Sequence, residues 1–250
     1  MLFLYGYMFV LGASVASFLN VVSYRWPRDI DFVHGRSECP HCHHTLSFLD
    51  MIPVLGWFLL RGRCRYCKTT ISFRYPLVEL IGGLLGGLCL YRYGIGWMTL
   101  ISFSWAMVLL LIALIDLDTM TIPNGCIGIA LFVGLFTIPF VDLALVNRIL
   151  GIFAVSVPLC LINLWIKDSF GGGDIKLLAV CGFILGWLNG LLALFIGIII
   201  AGTYAFYLIV SKKIERKSHI AFGPYLCFGI FIALLYGNQI VEWYLSLFGL

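Results

Sequence analysis

Asp116 and Asp174 stand at the edges of two very apolar segments, and the second closes the run Gly171-Gly172-Gly173-Asp174. A carboxylate at a hydrocarbon boundary is costly in free energy, so its default meaning is functional. Two such acids brought together can share a proton and activate water to split a bond. A second cluster is made of cysteines: Cys39-Pro40-His41-Cys42 and, after 21 intervening residues, Cys64-Arg65-Tyr66-Cys67. Two CxxC pairs at this separation match a tetrahedral zinc site with four thiolate ligands, Cys39, Cys42, Cys64 and Cys67. The arginines and lysine around the second pair favour thiolate. Two disulfides or a redox pair are the alternative, and a cytoplasmic location argues against stable disulfides. His41, His43 and His44 are near enough in sequence to substitute, but four cysteines already close the site. A closed site is structural, because a catalytic zinc keeps one position open for water.

These residues must be positioned by a very apolar chain. Of its 250 residues 62% are hydrophobic and 11% charged, and the mean hydropathy is +1.03. Soluble domains are about half apolar and a quarter charged, so a soluble core is excluded. A spanning helix needs about 20 apolar residues. About eight segments can be drawn: 2–24, 77–94, 96–115, 122–141, 149–166, 175–188, 190–210 and 221–237, with 239–250 extending the last or forming a short extra piece. The expected fold is an all-α integral membrane protein of about eight transmembrane helices with a small cytoplasmic zinc-binding loop domain. Three regions follow: a first helix at 1–24, the four-cysteine loop at 25–76, and a multi-helix membrane domain at 77–250. That loop is too small to build a strong core, and a metal would supply the missing folding energy. Cys89, Cys126, Cys160, Cys181 and Cys227 lie in apolar segments and read as packing residues. No Lys or Arg precedes Arg25, so the first segment reads as a retained span and not a cleaved leader.

Basic residues orient the chain. Segment 25–76 holds Arg25, Arg28, Arg36, Arg61, Arg63, Arg65, Lys68 and Arg74. With Lys167, Lys176, Lys212, Lys213, Arg216 and Lys217, they put 14 of the 16 basic residues on one side of an alternating eight-span topology. Arg92 and Arg148 fall on the other side. The N-terminus is then outside, the cysteine loop is cytoplasmic, and both aspartates lie at cytoplasmic ends of spans. The net charge of +4 is explained by topology, with no nucleic acid involved.

Asp116 is expected in a short turn after the third span, with Pro123 in the first turn of the fourth. The three glycines before Asp174 would bare the backbone for an extended substrate and leave the carboxylate unshielded. Asp174 can also be read as a helix cap and the glycines as a flexible loop. Asp118 and Asp168 read as solvated loop charges, and Asp142 falls on the outer face. Glu79, near the start of the second span, would pair with a basic residue, orient substrate, or favour the helix dipole. No catalytic serine motif and no HExxH zincin motif is present. A transporter would carry inverted repeats and acids at mid-membrane. No such repeat is evident here. A zinc-ribbon scaffold that docks secretion machinery is the non-enzymatic alternative.

With those residues in place, the chain resembles the bacterial prepilin peptidases, also called type 4 prepilin leader peptidases. Ser17-Phe18-Leu19-Asn20-Val21-Val22 with Arg25 and Pro27 looks like the family's N-terminal signature, with Ala16 where the family usually has Gly. The paired CxxC loop follows, with Asp50-Met51-Ile52-Pro53 and Arg61-Gly62-Arg63-Cys64, then Arg74-Tyr75-Pro76-Leu77-Val78-Glu79, the block from Asp116 to Pro123, and the GxGD motif ending in Asp174. Asn124 stands where the family varies between Asn and Asp. The resemblance runs nearly end to end. It implies a GxGD aspartic protease of the bacterial inner or cytoplasmic membrane whose partners are prepilin or pseudopilin substrates and the lipid bilayer. Such enzymes remove short basic leaders at the cytoplasmic face, with catalytic acids matching Asp116 and Asp174. Members with the cysteine loop commonly also methylate the new N-terminus with S-adenosylmethionine, which implies zinc and S-adenosylmethionine as cofactors here.

Overall fold

A computed structural model describes residues 1–34, 37–39, 41–166, 170–212 and 220–249. Arg36, Lys167, Lys213, Arg216 and Lys217 of the charge argument, and Asp168, lie outside the described residues. Among the described residues the regular structure is helical, without a named strand: α1 (Leu2–Arg25), α2 (Leu55–Leu59), α3 (Arg74–Tyr93), α4 (Trp97–Thr119), α5 (Asn124–Leu135), α6 (Leu145–Trp165), α7 (Gly172–Leu185), α8 (Trp187–Val210) and α9 (Gly223–Ser246). Five stretches are long and apolar enough to cross a membrane: α1 with its short extension to Arg28, α4, α6, α8 and α9. The chain is therefore a multi-pass membrane protein. At 1.5 Å per residue, α5 and α7 span only about 18 and 21 Å, short of a bilayer's hydrocarbon core of about 30 Å. The C-terminal apolar tail extends the last segment, because α9 runs on to Ser246.

Two compact units divide the chain, Met1–Thr99 and Leu100–Leu250. In the first, α1 packs against α3 through small residues. A Cβ added at Gly12 would run into the backbone of Gly82, and one at Gly82 would strike Ala16. Bare backbones let the helices approach closely where lipid supplies no hydrophobic drive. Between them the chain forms the cysteine loop. Glu79 on α3 is buried, and its Oε2 accepts the Val54 backbone N–H at 2.6 Å. Of the three readings of Glu79, the structure adds a partner none of them named, a backbone amide at the N-cap of α2. Val54 holds φ 63, a left-handed conformation costly for a β-branched residue, which the buried carboxylate helps hold in place.

In the second unit α7 packs against α5, α6, α8 and α9. α6 and α7 cross where Gly151 and Gly182 meet, and a Cβ on either would overlap the other's carbonyl. α4 is the most enclosed of the candidate spans, with Trp105, Ile112 and Ile115 fully buried. The Trp105 indole donates to Ala130 O of α5 at 2.8 Å. Arg148, 2% exposed, donates to Val141 O, Leu143 O and Ile184 O. It thereby ties the segment before α6 to one carbonyl, Ile184 O, at the C-terminal end of α7, where a cation suits the helix dipole.

Gly182→Val should destabilise the second unit by about 1–3 kcal/mol, the usual overpacking cost. A lowered melting temperature in detergent, alongside an unchanged Gly128→Ala control at an open position, checks this.

Candidate active site and metal centre

The aspartates come from elements that meet at one end of the second unit. α4 continues helical through Thr119, so Asp116 lies in its last turn and not in the turn beyond. Met120 closes the helix at φ 52, its N–H bonding Asp116 O at 2.8 Å. This left-handed residue is a common way to end a helix. Thr119 Oγ1 bonds Ile115 O and Thr121 Oγ1 at 2.9 Å each, fixing the exit of the chain. Pro123 is then the N-cap of α5, one residue earlier than the sequence suggests.

The glycine run also differs from expectation. Gly171 is the N-cap of α7, while Gly172 and Gly173 already belong to its first turn. A Cβ on Gly173 would lie 2.8 Å from the Cβ of Ile122. This glycine therefore lets α7 abut the α4–α5 turn, while a Cβ at Gly172 would meet open space. Lys176 Nζ donates to Asn124 Oδ1 at 2.9 Å and pins the same junction. Asp174 follows in the first turn of α7, and its carboxylate takes a hydrogen bond from the backbone of Gly171, the N-cap of that helix.

Asp116 is 5% and Asp174 8% exposed. They are near enough for the charge of Asp116 to act on Asp174. Asp116 Oδ2 accepts the backbone N–H of Gly223, the first residue of α9, at 2.8 Å. A Cβ at Gly223 would stand 2.7 Å from that oxygen. Asp174 Oδ1 is buried without a hydrogen-bond partner. Buried carboxylate oxygens are normally satisfied, so an oxygen with no partner among the described residues is a place for water or substrate. Asp174 lies in the first turn of α7, and Asp116, although in the last turn of α4, meets the first amide of α9; at both helix starts the dipole and free N–H groups favour negative charge. Asp118 is exposed on the last turn of α4 rather than in a loop, and Asp142 is exposed near the start of α6. Sequence reasoning missed Gly223. Its only signal is Gly223-Pro224, a helix-start pair.

The cysteines form a second centre within the first unit. Cys39, Cys42, Cys64 and Cys67 present sulfurs that all lie within 4.8 Å of one another. Cys39 Sγ and Cys67 Sγ are 3.8 Å apart. A tetrahedral zinc at about 2.3 Å from each sulfur requires S···S edges of about 3.8 Å, so the donor set fits a metal such as zinc. Two knuckles of one design supply it. Cys39 N–H bonds His44 O at 3.0 Å and Cys64 N–H bonds Thr69 O at 2.9 Å. The bridges Glu38–Thr45 and Arg63–Thr70 flank them. His43 at φ 53 and Lys68 at φ 61 take the same left-handed turn after the second cysteine of each pair.

Thr69 holds Cys67 down to about 6 through its hydroxyl at 2.6 Å and its backbone N–H. The His44 N–H favours the Cys42 thiolate, yet desolvation and the neighbouring sulfurs push that thiol up to about 11. A cation relieves such crowding of thiolates. Desolvation would raise Asp50, but Ser47 and the Arg65 guanidinium at 2.7 Å outweigh it and hold the carboxyl low. Asp50 thus ties the second knuckle to the loop between the two. His44 stacks near Tyr66, with ring centroids 3.6 Å apart. The four-sulfur group contains no histidine.

Comparison with known proteins places this geometry in context. The bacterial peptidase A24 N-terminal domain matches residues 10–93, which include all four cysteines. The type IV leader peptidase family matches residues 103–206, which include both aspartates. A protein of Aeromonas hydrophila called prepilin leader peptidase/N-methyltransferase is 33% identical, over 96% of this chain and 93% of its own length. One of the same name from Bacillus subtilis (strain 168) is 29% identical over 96% of this chain and 97% of its own. Another, from Myxococcus xanthus (strain DK1622), is 40% identical over 72% of this chain and 56% of its own. No solved structure matches.

Elemental analysis of the purified chain should find about one zinc per molecule, as a four-thiolate site binds a single ion. Replacing Cys39 and Cys64 with serine should remove it and leave the loop open to proteolysis.

Proposed function

The chain belongs to the type IV leader peptidase family, and from that premise we propose that Asp116 and Asp174 are the acid pair with which it cuts prepilins. The chain is a membrane aspartic endopeptidase that removes the leader peptide from prepilins, and a methyltransferase acting on the new N-terminus. The observation that carries the assignment of the acids is the buried pair itself: one oxygen anchored by Gly223 N–H and one, Asp174 Oδ1, left without a partner.

Two close carboxylates cannot both ionise cheaply, so the pair holds one proton. The charged member takes a proton from water lodged against Asp174 Oδ1. The water oxygen bonds the scissile carbonyl carbon, while the protonated member gives its proton to the carbonyl oxygen. Collapse of the tetrahedral intermediate breaks the C–N bond, and the amine leaves with a proton returned through the pair. The substrate's apolar stalk lies along the membrane helices and its basic leader remains in the cytosol. That orientation rests on the basic-residue asymmetry, with the N-terminus outside, eight spans, and the cysteine loop and acids on the cytoplasmic side of a bacterial inner membrane. Domain roles follow the sequence divisions: the first helix at 1–24, the metal loop at 25–76 and the peptidase helices at 77–250. The metal is a structural zinc held by Cys39, Cys42, Cys64 and Cys67, and it supplies folding energy to the loop. Methylation draws on S-adenosylmethionine as donor.

Asp116→Asn and Asp174→Asn should each lower cleavage of a synthetic prepilin by roughly 10²–10⁴-fold, the range for loss of acid–base catalysis. Normal cleavage by either folded variant would remove the pair from the mechanism. Gly223→Ala should lower kcat by about 10²-fold, because the new Cβ displaces the anchored carboxylate. The wild-type rate plotted against pH should be bell-shaped, falling where the pair loses its shared proton and where it gains a second.

A further inference from the structure

The two aspartates are carried by separate stretches of backbone, and something must hold those stretches at a fixed spacing. Asp116 is anchored through Gly223, and the residue before it is Phe222. Asp174 donates its backbone N–H to Gly171 O at 3.1 Å, and the residue before Gly171 is Phe170. Phe170 and Phe222 pack edge to face, with ring centroids 5.7 Å apart and an interplanar angle of 66°. That is a favoured geometry for an aromatic pair. Phe170 is itself clamped. Asn163, on the last turns of α6, donates its side-chain N–H to Phe170 O and accepts the Phe170 N–H through Oδ1, both at 2.8 Å. One amide satisfying both polar groups of one residue fixes its backbone on both sides.

We propose that Phe170 and Phe222 form a clasp that sets the separation of the two aspartates, with Asn163 locking its Phe170 half; all three are positioning residues for peptide cleavage. This rests on the reading of Asp116 and Asp174 as the cleaving pair. Proton sharing between carboxylates and attack by a lodged water both fail when the acids move apart by about an ångström. Neither aspartate is joined to the other by a described hydrogen bond, so their spacing is inherited from the backbones that carry them. The rings link those backbones just before the N-cap of α7 and at the N-cap of α9. Rings in contact couple in stability whatever their role, so the mark of a clasp is a loss of kcat at unchanged melting that the second substitution does not deepen.

The test uses the full chain in lipid bilayers and a synthetic prepilin, with kcat and KM measured for Phe170→Leu, Phe222→Leu, the double variant and Asn163→Ala. Leucine keeps apolar bulk and drops the edge-to-face contact. Each single variant should lose roughly 10- to 100-fold in kcat with KM within about threefold, the signature of misplaced reacting groups. The double variant should be no worse than the poorer single one. Phe170→Tyr and Phe222→Tyr, which keep the rings, should stay within about threefold of wild type. Wild-type kcat in leucine variants with unchanged melting, losses confined to KM, or losses that multiply in the double variant would each overturn the clasp. Asp116→Asn in the same assay separates the two claims. If it cleaves, the acid-pair reading fails and the clasp falls with it. If it is inactive while the leucine variants match wild type, the clasp alone fails.

Discussion

One hydrogen bond organises the candidate site: the Gly223 backbone N–H to Asp116 Oδ2, 2.8 Å long, between residues 107 apart in sequence. It joins the last turn of α4 to the first residue of α9. An N-terminal helix amide has no partner within its own helix, and a buried carboxylate is costly without one. Each group answers the other's deficit. Only glycine fits, since any Cβ at position 223 would crowd the carboxylate. With one oxygen of Asp116 committed in this way, the acid is held rigidly while Asp174 keeps an uncommitted oxygen. That asymmetry suits a pair in which one member is anchored and the other meets water.

The rest of the second unit works to bring α7 to this point. Gly173 against Ile122 and Lys176 to Asn124 seat its N-terminus beside the α4–α5 turn. Gly151 and Gly182 let α6 and α7 cross with bare backbones in contact, and Arg148 bonds the Ile184 carbonyl at the far end of α7. α7 is thus held at both ends by polar contacts and at its middle by missing side chains. In a medium that offers helices no hydrophobic drive to associate, such close approach and polar pinning are the available means. The first unit solves another problem with other chemistry. Its loop is too small for a core, so two copies of one cysteine turn converge on a metal-sized space, and Glu79 ties the loop to α3.

Local chemistry was legible in the amino-acid sequence where it is encoded by spacing. The four cysteines declared a shared site by their separation, and the structure brings their sulfurs together. Asp116 and Asp174 declared themselves by their cost in apolar surroundings, and they end up buried within reach of each other's charge. Hydropathy foretold helices and several spans, but α5 and α7 are shorter than a bilayer needs, which an apolar run alone does not reveal. What stayed hidden was long-range. Glu79 meets Val54 across 25 residues, and Gly223 meets Asp116 across 107. Asn163, Phe170 and Phe222 have no motif at all. Within the glycine run, Gly173 packs against Ile122, and packing partners are not written beside it.

The central claim is that Asp116 and Asp174 together hold the water that attacks the scissile peptide. A prepilin analogue in which that amide is replaced by a hydroxyethylene group mimics the tetrahedral intermediate, and such mimics bind where the transition state binds. An experimental structure of the chain with that analogue tests the claim most directly. The account predicts its hydroxyl within hydrogen-bond distance of carboxylate oxygens from both aspartates, with the Gly223 bond to Asp116 intact. A hydroxyl bound away from either acid would contradict it.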